Sequence, residues 1–162
     1  MPTNLLITYN NLLELLHRSH NANLASFRGV FNKDFADNRV SFRGLPVLPT
    51  PEEGVDTMDR QFRHLTTVVV NEQTRKREFE TKRAIRLHWI KPHLEERIQA
   101  NIIFFNVPDE KKTYILNKTE RYVIILESKN NGQFYYLLTA YSLHDSGYKS
   151  IMNKFERRGV PI

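Results

Sequence analysis

No cysteine occurs among the 162 residues, which excludes disulfides and thiolate metal sites and fits a reducing compartment. No apolar run approaches the roughly 20 residues that a membrane-spanning helix needs. The N-terminus lacks a basic stretch followed by an apolar one and a cleavage site. The expectation is therefore a cytoplasmic protein without membrane contact. A phosphate-binding glycine loop, a dinucleotide fingerprint and a GxSxG elbow are also missing. His88 and His93 stand five apart, the wrong spacing for one helical face, and no Asp, Glu or Cys cluster completes a metal site. Neither metal nor cofactor is expected.

What the chain does have is a 40% hydrophobic composition and a net charge of +6. The first is enough for one domain with a core. The second has two readings, plain solubility or a polyanionic partner. Its distribution favours the partner. Residues 51–59 carry Glu52, Glu53, Asp56 and Asp59 and no base. The segment Arg60–Arg97 then sets ten Lys and Arg against five Glu. A nucleic acid, RNA above all, is the expected partner, with Arg75, Lys76, Arg77, Lys82 and Arg86 as its contacts.

The stretch Arg121–Leu143 predicts a β-hairpin. Two β-branched and aromatic runs flank SKNNGQ, and Asn131-Gly132 suits a tight turn with positive φ at both positions. Val123–Leu126 and Phe134–Leu138 are continuously apolar, so both faces of the hairpin should be covered. Thr139, Tyr141 and Ser142 put hydroxyls at the end of the second strand.

Elsewhere, Asn4–His20 reads as an amphipathic helix or two short turns. Asn21–Pro51, with phenylalanines scattered among Gly, Asn and Pro, reads as an irregular arm ordered by packing those rings, or as a segment that folds on a partner. Asp56 is a plausible N-cap for a short helix running into a strand at Leu65–Val70, and Asn71–Glu80 reads as an exposed turn. Thr81–Ala100 is a helix by periodicity, with Ile90, Leu94 and Ile98 within about 60° of Leu87 and a kink expected at Pro92. Strands follow at Ile102–Val107 and Thr113–Leu116, then the hairpin. A basic helix, His144–Arg158, ends the chain with Ile151, Met152 and Phe155 inward. The expected class is α+β: a helix, a four-stranded antiparallel meander and a C-terminal helix (56–162), preceded by a helical and irregular arm (1–55).

On the Thr81–Ala100 helix, Arg83 and Lys91 fall about 40° either side of Leu87, and His88 about 100° away. Either their stems snorkel along the core, or Arg83, His88 and Lys91 line an edge facing Thr139 and Tyr141. Such a set can cleave RNA without a metal. A base takes the ribose 2′-OH proton, cations stabilise the phosphorane, and an acid protonates the 5′-oxygen.

The segments KRAIRLHWIKPHLEE, NIIFFNV, TYILNKTERYVIILES and FYYLLTAYSL resemble, in that order, the barnase–EndoU–colicin–RelE (BECR) group of small bacterial and phage-borne nuclease and toxin folds. The likeness covers roughly residues 60–158. It implies a metal-independent endoribonuclease toxin, with a possible antitoxin or immunity protein as partner. By the same likeness His88 and Lys91 match the helix-borne polar residues, and Thr139 and Tyr141 the last-strand motif. The group also includes inactive binders and gyrase poisons, so a non-catalytic module binding nucleic acid or a host protein is the alternative. A His88 that opens on the cleft beside Thr139 would favour the enzyme, and a buried, hydrogen-bonded His88 the binder.

Overall fold

A computed structural model describes residues 3–162. The centre is an antiparallel meander of β5 (Ile102–Val107), β6 (Lys112–Asn117), β7 (Tyr122–Lys129) and β8 (Phe134–Ser142). Tyr122 to Leu126 are all buried, as the unbroken apolar run predicts. Ile124, Leu126, Leu137 and Ala140 face one core. Val123, Ile125 and Leu143 face another, with Phe105, Tyr114 and Leu116. Helix α5 (Asp145–Glu156) covers the second through Ile151, Met152 and Phe155, the three residues expected inward.

The sheet corrects the expected four-stranded meander: it has six strands and is mixed. Strands β1 (Ser41–Phe42) and β2 (Leu45–Pro49) extend it to the order β1-β2-β8-β7-β6-β5, and β2 runs parallel to β8. The pairing stops at Pro49 opposite Leu137; proline lacks an N–H for the ladder, and Pro51 follows. Beyond Leu137, β8 has no strand partner on that side among the described residues.

A bulge sits in the same place. Ile125 pairs with Thr139 and Leu126 with Leu137, leaving Leu138 unpaired. The extra residue resets the alternation, so Thr139 and Tyr141 turn to the face of Val123 and Ile125. The hairpin loop spans residues 130–133, longer than a two-residue turn, and Asn130, Asn131 and Gly132 all have positive φ.

The N-terminal third also departs from expectation. Over residues 4–11 the chain takes the two-turn alternative rather than a helix: Asn4–Leu6 forms a 3-10 turn, the Asn11 N–H closes a second on the Thr8 carbonyl at 3.0 Å, and residues 12–17 form no regular element. The Asn4 side chain explains this: its amide donates to the Glu14 carbonyl and its oxygen accepts from the Glu14 N–H, both at 2.9 Å. Leu13 donates to the Ile85 carbonyl. The supposed arm contains helix α1 (His20–Phe31), capped by Ser19, with Phe27, Val30 and Phe31 buried at helical spacing.

Helix α2 (Thr57–Thr66) runs into β3 (Thr67–Asn71), and β4 (Lys76–Phe79) occupies part of the expected exposed turn. The helix expected over Thr81–Ala100 is broken into α3 (Thr81–Ala84), a 3-10 turn (Leu87–Trp89) and α4 (Ile90–Leu94). Arg86, with φ −110° and ψ 12°, leaves the helical region. Glu96, with φ 56°, follows the end of α4.

Phe42 ties the N-terminal segment to the sheet, stacking on Phe104 and meeting Tyr135 edge-on, each at 5.8 Å. Phe42→Ala should cost about 3–5 kcal/mol of stability, read as a lower urea midpoint. A loss under about 1 kcal/mol would show that residues 41–49 are not integral to the core.

Candidate functional site

The unpaired end of β8 packs against α2 and α3, and these, with β4 beside them, are rich in arginine. Asp56 accepts from the Asp59 N–H at 3.0 Å and caps α2, as its position in the sequence suggested. From that start, Arg60, Arg63 and His64 fall at i, i+3 and i+4 on neighbouring turns. The Thr67 hydroxyl donates back to the Arg63 carbonyl where helix becomes strand.

Thr67 is the organising group. The β3–β4 register places Arg77 opposite Val69. From there its Nε donates to Thr67 Oγ1 at 2.8 Å and a terminal nitrogen donates to the Thr67 carbonyl at 2.9 Å. Arg83, on α3, donates to the same carbonyl and to that of His64, both at 3.0 Å. Its guanidinium carbon lies 5.3 Å from the centre of the Tyr141 ring. Two guanidinium groups thus share one carbonyl oxygen. Among the described residues neither has a carboxylate within ion-pair reach, whereas Arg60 and Arg63 share Glu52 at 3.6 and 3.2 Å.

Burial pushes Arg77 and Arg83 below the usual arginine range, and neighbouring arginines add to the effect on Arg77. Burial raises Tyr141, while Arg83 pulls it back down. His64 is lowered to about 4, first by burial and then by Arg77, Arg60, Arg63 and Arg83, so it is neutral at pH 7. Arg60 Nε, Arg83 Nε and Thr139 Oγ1 are buried without hydrogen-bond partners. Arg60 Nε faces Glu52, but Arg83 combines an unpartnered donor with the absence of a carboxylate within ion-pair reach among the described residues, an arrangement that an anion would complete.

Of the five residues proposed from sequence for catalysis, Arg83 and Tyr141 meet. Thr139 shares their strand face but contacts neither through a hydrogen bond. His88 lies elsewhere, 7% exposed. It shares the Asn11 carbonyl with Trp89, at 2.9 and 3.0 Å. Lys91 is 3.8 Å from Glu95. Neither residue contacts Arg83, Thr139 or Tyr141, because the break at Arg86 destroys the continuous helical wheel that grouped them. Of the proposed nucleic-acid contacts, Arg77 belongs to the cluster. Arg75 and Lys76 pair with Glu72 and Glu78, Arg86 lies over Trp89, and Lys82 is exposed. Arg60, Arg63 and His64 join the cluster, and their signal in the sequence is the RQFRH spacing after a capping Asp56. No group of three or more His, Cys, Asp or Glu positioned for a metal occurs among the described residues, nor does a helix long and apolar enough to cross a membrane.

Burial lowers His88 to about 4 from 6.5. As pH falls, the unfolded chain binds the proton first, so the stability contributed by neutral His88 is lost between about 6.5 and 4. His88→Gln keeps a donor for the Asn11 carbonyl but does not titrate. The stability of the native protein, read from urea unfolding, should therefore fall more steeply over this range than that of the variant, by on the order of 3 kcal/mol. Parallel pH curves would show that His88 does not carry this loss.

Neither a protein-family model, nor a curated protein, nor a solved structure matches this chain.

Proposed function

We propose that the protein binds nucleic acid, RNA first, by seating a backbone phosphate on Arg77 and Arg83 beside β8. The observation that carries this reading is the pair of guanidinium groups on the Thr67 carbonyl with no carboxylate within ion-pair reach among the described residues. Holding like charges together costs free energy, and a phosphate accepting from both would recover it. The net charge of +6 would assist association at a distance. The buried, hydrogen-bonded His88 also leans toward binding.

A second reading is supported by His64. A neutral imidazole amid arginines can take the proton of a ribose 2′-OH. The 2′-oxygen then attacks phosphorus, the arginines stabilise the phosphorane, and the bond to the 5′-oxygen breaks as that oxygen takes back the proton held by the His64 imidazolium. The products would be a 2′,3′-cyclic phosphate and a 5′-hydroxyl. This is the metal-independent reaction that the likeness to the BECR group implies. A toxin or phage-borne effector with its own antitoxin belongs to that second reading.

Anisotropy with a labelled single-stranded RNA tests the first. Arg77→Gln and Arg83→Gln should each weaken binding roughly tenfold or more, and each should reduce the slope of log affinity against log salt by about 1. Arg83→Lys should keep the slope while losing affinity, since charge remains and the fork is gone. Binding indifferent to a rise from roughly 0.05 to about 0.3 M salt would count against a phosphate contact.

Incubation with RNA in EDTA tests the second. Cleavage should persist, and His64→Ala should lower it by about 10²–10⁴-fold with binding retained. Intact RNA after incubation with the native protein would leave the binding reading alone.

A further inference from the structure

The N-terminal segment is built inside out. Asn4 is buried, with its side chain clasping the Glu14 backbone. Asn23 is buried as well, donating to the His17 carbonyl at 2.9 Å and accepting from the His17 N–H at 3.0 Å. Leu5, Leu6, Leu12, Leu15 and Leu16, by contrast, are 39–70% exposed. Five of the ten large apolar side chains exposed among the described residues thus fall within twelve consecutive positions. Single exposed leucines are ordinary, but this concentration marks a surface that something covers.

The segment is tied down at several points. The Asn4 clasp brings the ends of residues 4–14 together, as in an Ω-loop. Between them the Asn11 carbonyl accepts from His88 and Trp89, the Tyr9 hydroxyl accepts from Asn117 at 3.0 Å, and the Leu13 N–H donates to the Ile85 carbonyl at 2.9 Å. Its polar groups hold it to the core while its leucines stay outward, which lowers the ordering cost of association. Leu6 and Leu12 line a groove of about 610 Å³, and half-buried Glu14 lines it with them.

Charge selects the occupant. Residues 3–18 contain one acid, Glu14, and one base, Arg18. Neither has an opposite charge within ion-pair reach among the described residues, and Arg18 is exposed. Two copies that each carry +6 repel, and they repel least where the facing surfaces have no net charge. At the flanks, Lys33 donates to the Leu5 carbonyl at 2.8 Å and Glu120 accepts from Asn10 at 3.4 Å, again one charge of each sign. We infer that a second copy of this chain docks on the leucine face, leucine against leucine, with Glu14 of each copy facing Arg18 of the other. A two-fold axis makes both pairs at once. The inference stands apart from the arginine cluster, and either can fail without the other.

Sedimentation velocity of the full chain, from about 1 µM to about 1 mM, tests it. The protein should pass from monomer to dimer as its concentration rises. Leu6→Asn with Leu12→Asn should raise the dimer dissociation constant by roughly tenfold or more, with an unchanged circular-dichroism spectrum of the monomer showing intact folding. Arg18→Glu should raise it by about fivefold, and adding Glu14→Lys should restore association, because the pairs re-form with their signs exchanged. Arg83→Gln should leave the equilibrium unaltered. A monomer at every concentration, or a dimer indifferent to the leucine pair or to Arg18→Glu, would overturn the inference. So would a monomer that floats with phosphatidylcholine vesicles through the same leucines, since the face would then belong to a lipid surface.

Discussion

A strand in which five consecutive side chains are buried must be covered on both faces, and this one demand shapes the molecule. Strand β7 meets it from Tyr122 to Leu126. On one side α5 suffices, because Ile151, Met152 and Phe155 arrive at helical spacing directly after the last strand. On the other, the broken helices over 81–94 supply Leu87, Trp89, Ile90 and Leu94, and the remaining area is filled by Phe27, Val30, Phe31 and Phe42 from far earlier in the chain. At about 25 cal/mol per Å² of apolar surface, burying those rings outweighs the weak helical and strand propensities of the segment carrying them.

The same demand places the arginine cluster. Where the parallel pairing of the N-terminal segment stops, at Pro49 opposite Leu137 of β8, polar side chains take over, and the arginines around Thr67 gather beyond that point. A regular element ends there, which is where backbone groups and long cations become available to a ligand.

The hairpin, its neighbours β5 and β6, and α5 were legible because their signals are local: continuous apolar runs, Asn131-Gly132 and the spacing of Ile151, Met152 and Phe155. The parallel β2 strand was hidden in a segment rich in proline and glycine, whose pairing is set by residues far away. Asn4, clamping Glu14, overrode a leucine pattern that reads as helix. Within the site, Arg83 and Tyr141 could be named from sequence, and Arg77 as a nucleic-acid contact, but their grouping could not. That His64 joins them depends on α2 turning directly into β3, and that Arg77 does so depends on the β3–β4 register. His88 and Lys91 were grouped with them by assuming an unbroken helix, which Arg86 interrupts.

The parallel pairing of β2 with β8 also bears on the order in which the molecule can be made. The hydroxyl of Thr50 donates to the carbonyl of Leu137, 87 positions away. During synthesis the N-terminal segment, with Phe27, Phe31 and Phe42, leaves the ribosome well before the strands that will bury those rings. Until the meander and its hairpin close, these aromatic residues have no sheet to rest on, and the nascent chain is open to aggregation and to chaperone capture. Strand pairing within the C-terminal half spans far shorter stretches of chain, so the contacts of Phe27, Phe31 and Phe42 with the sheet carry the larger loop-closure cost.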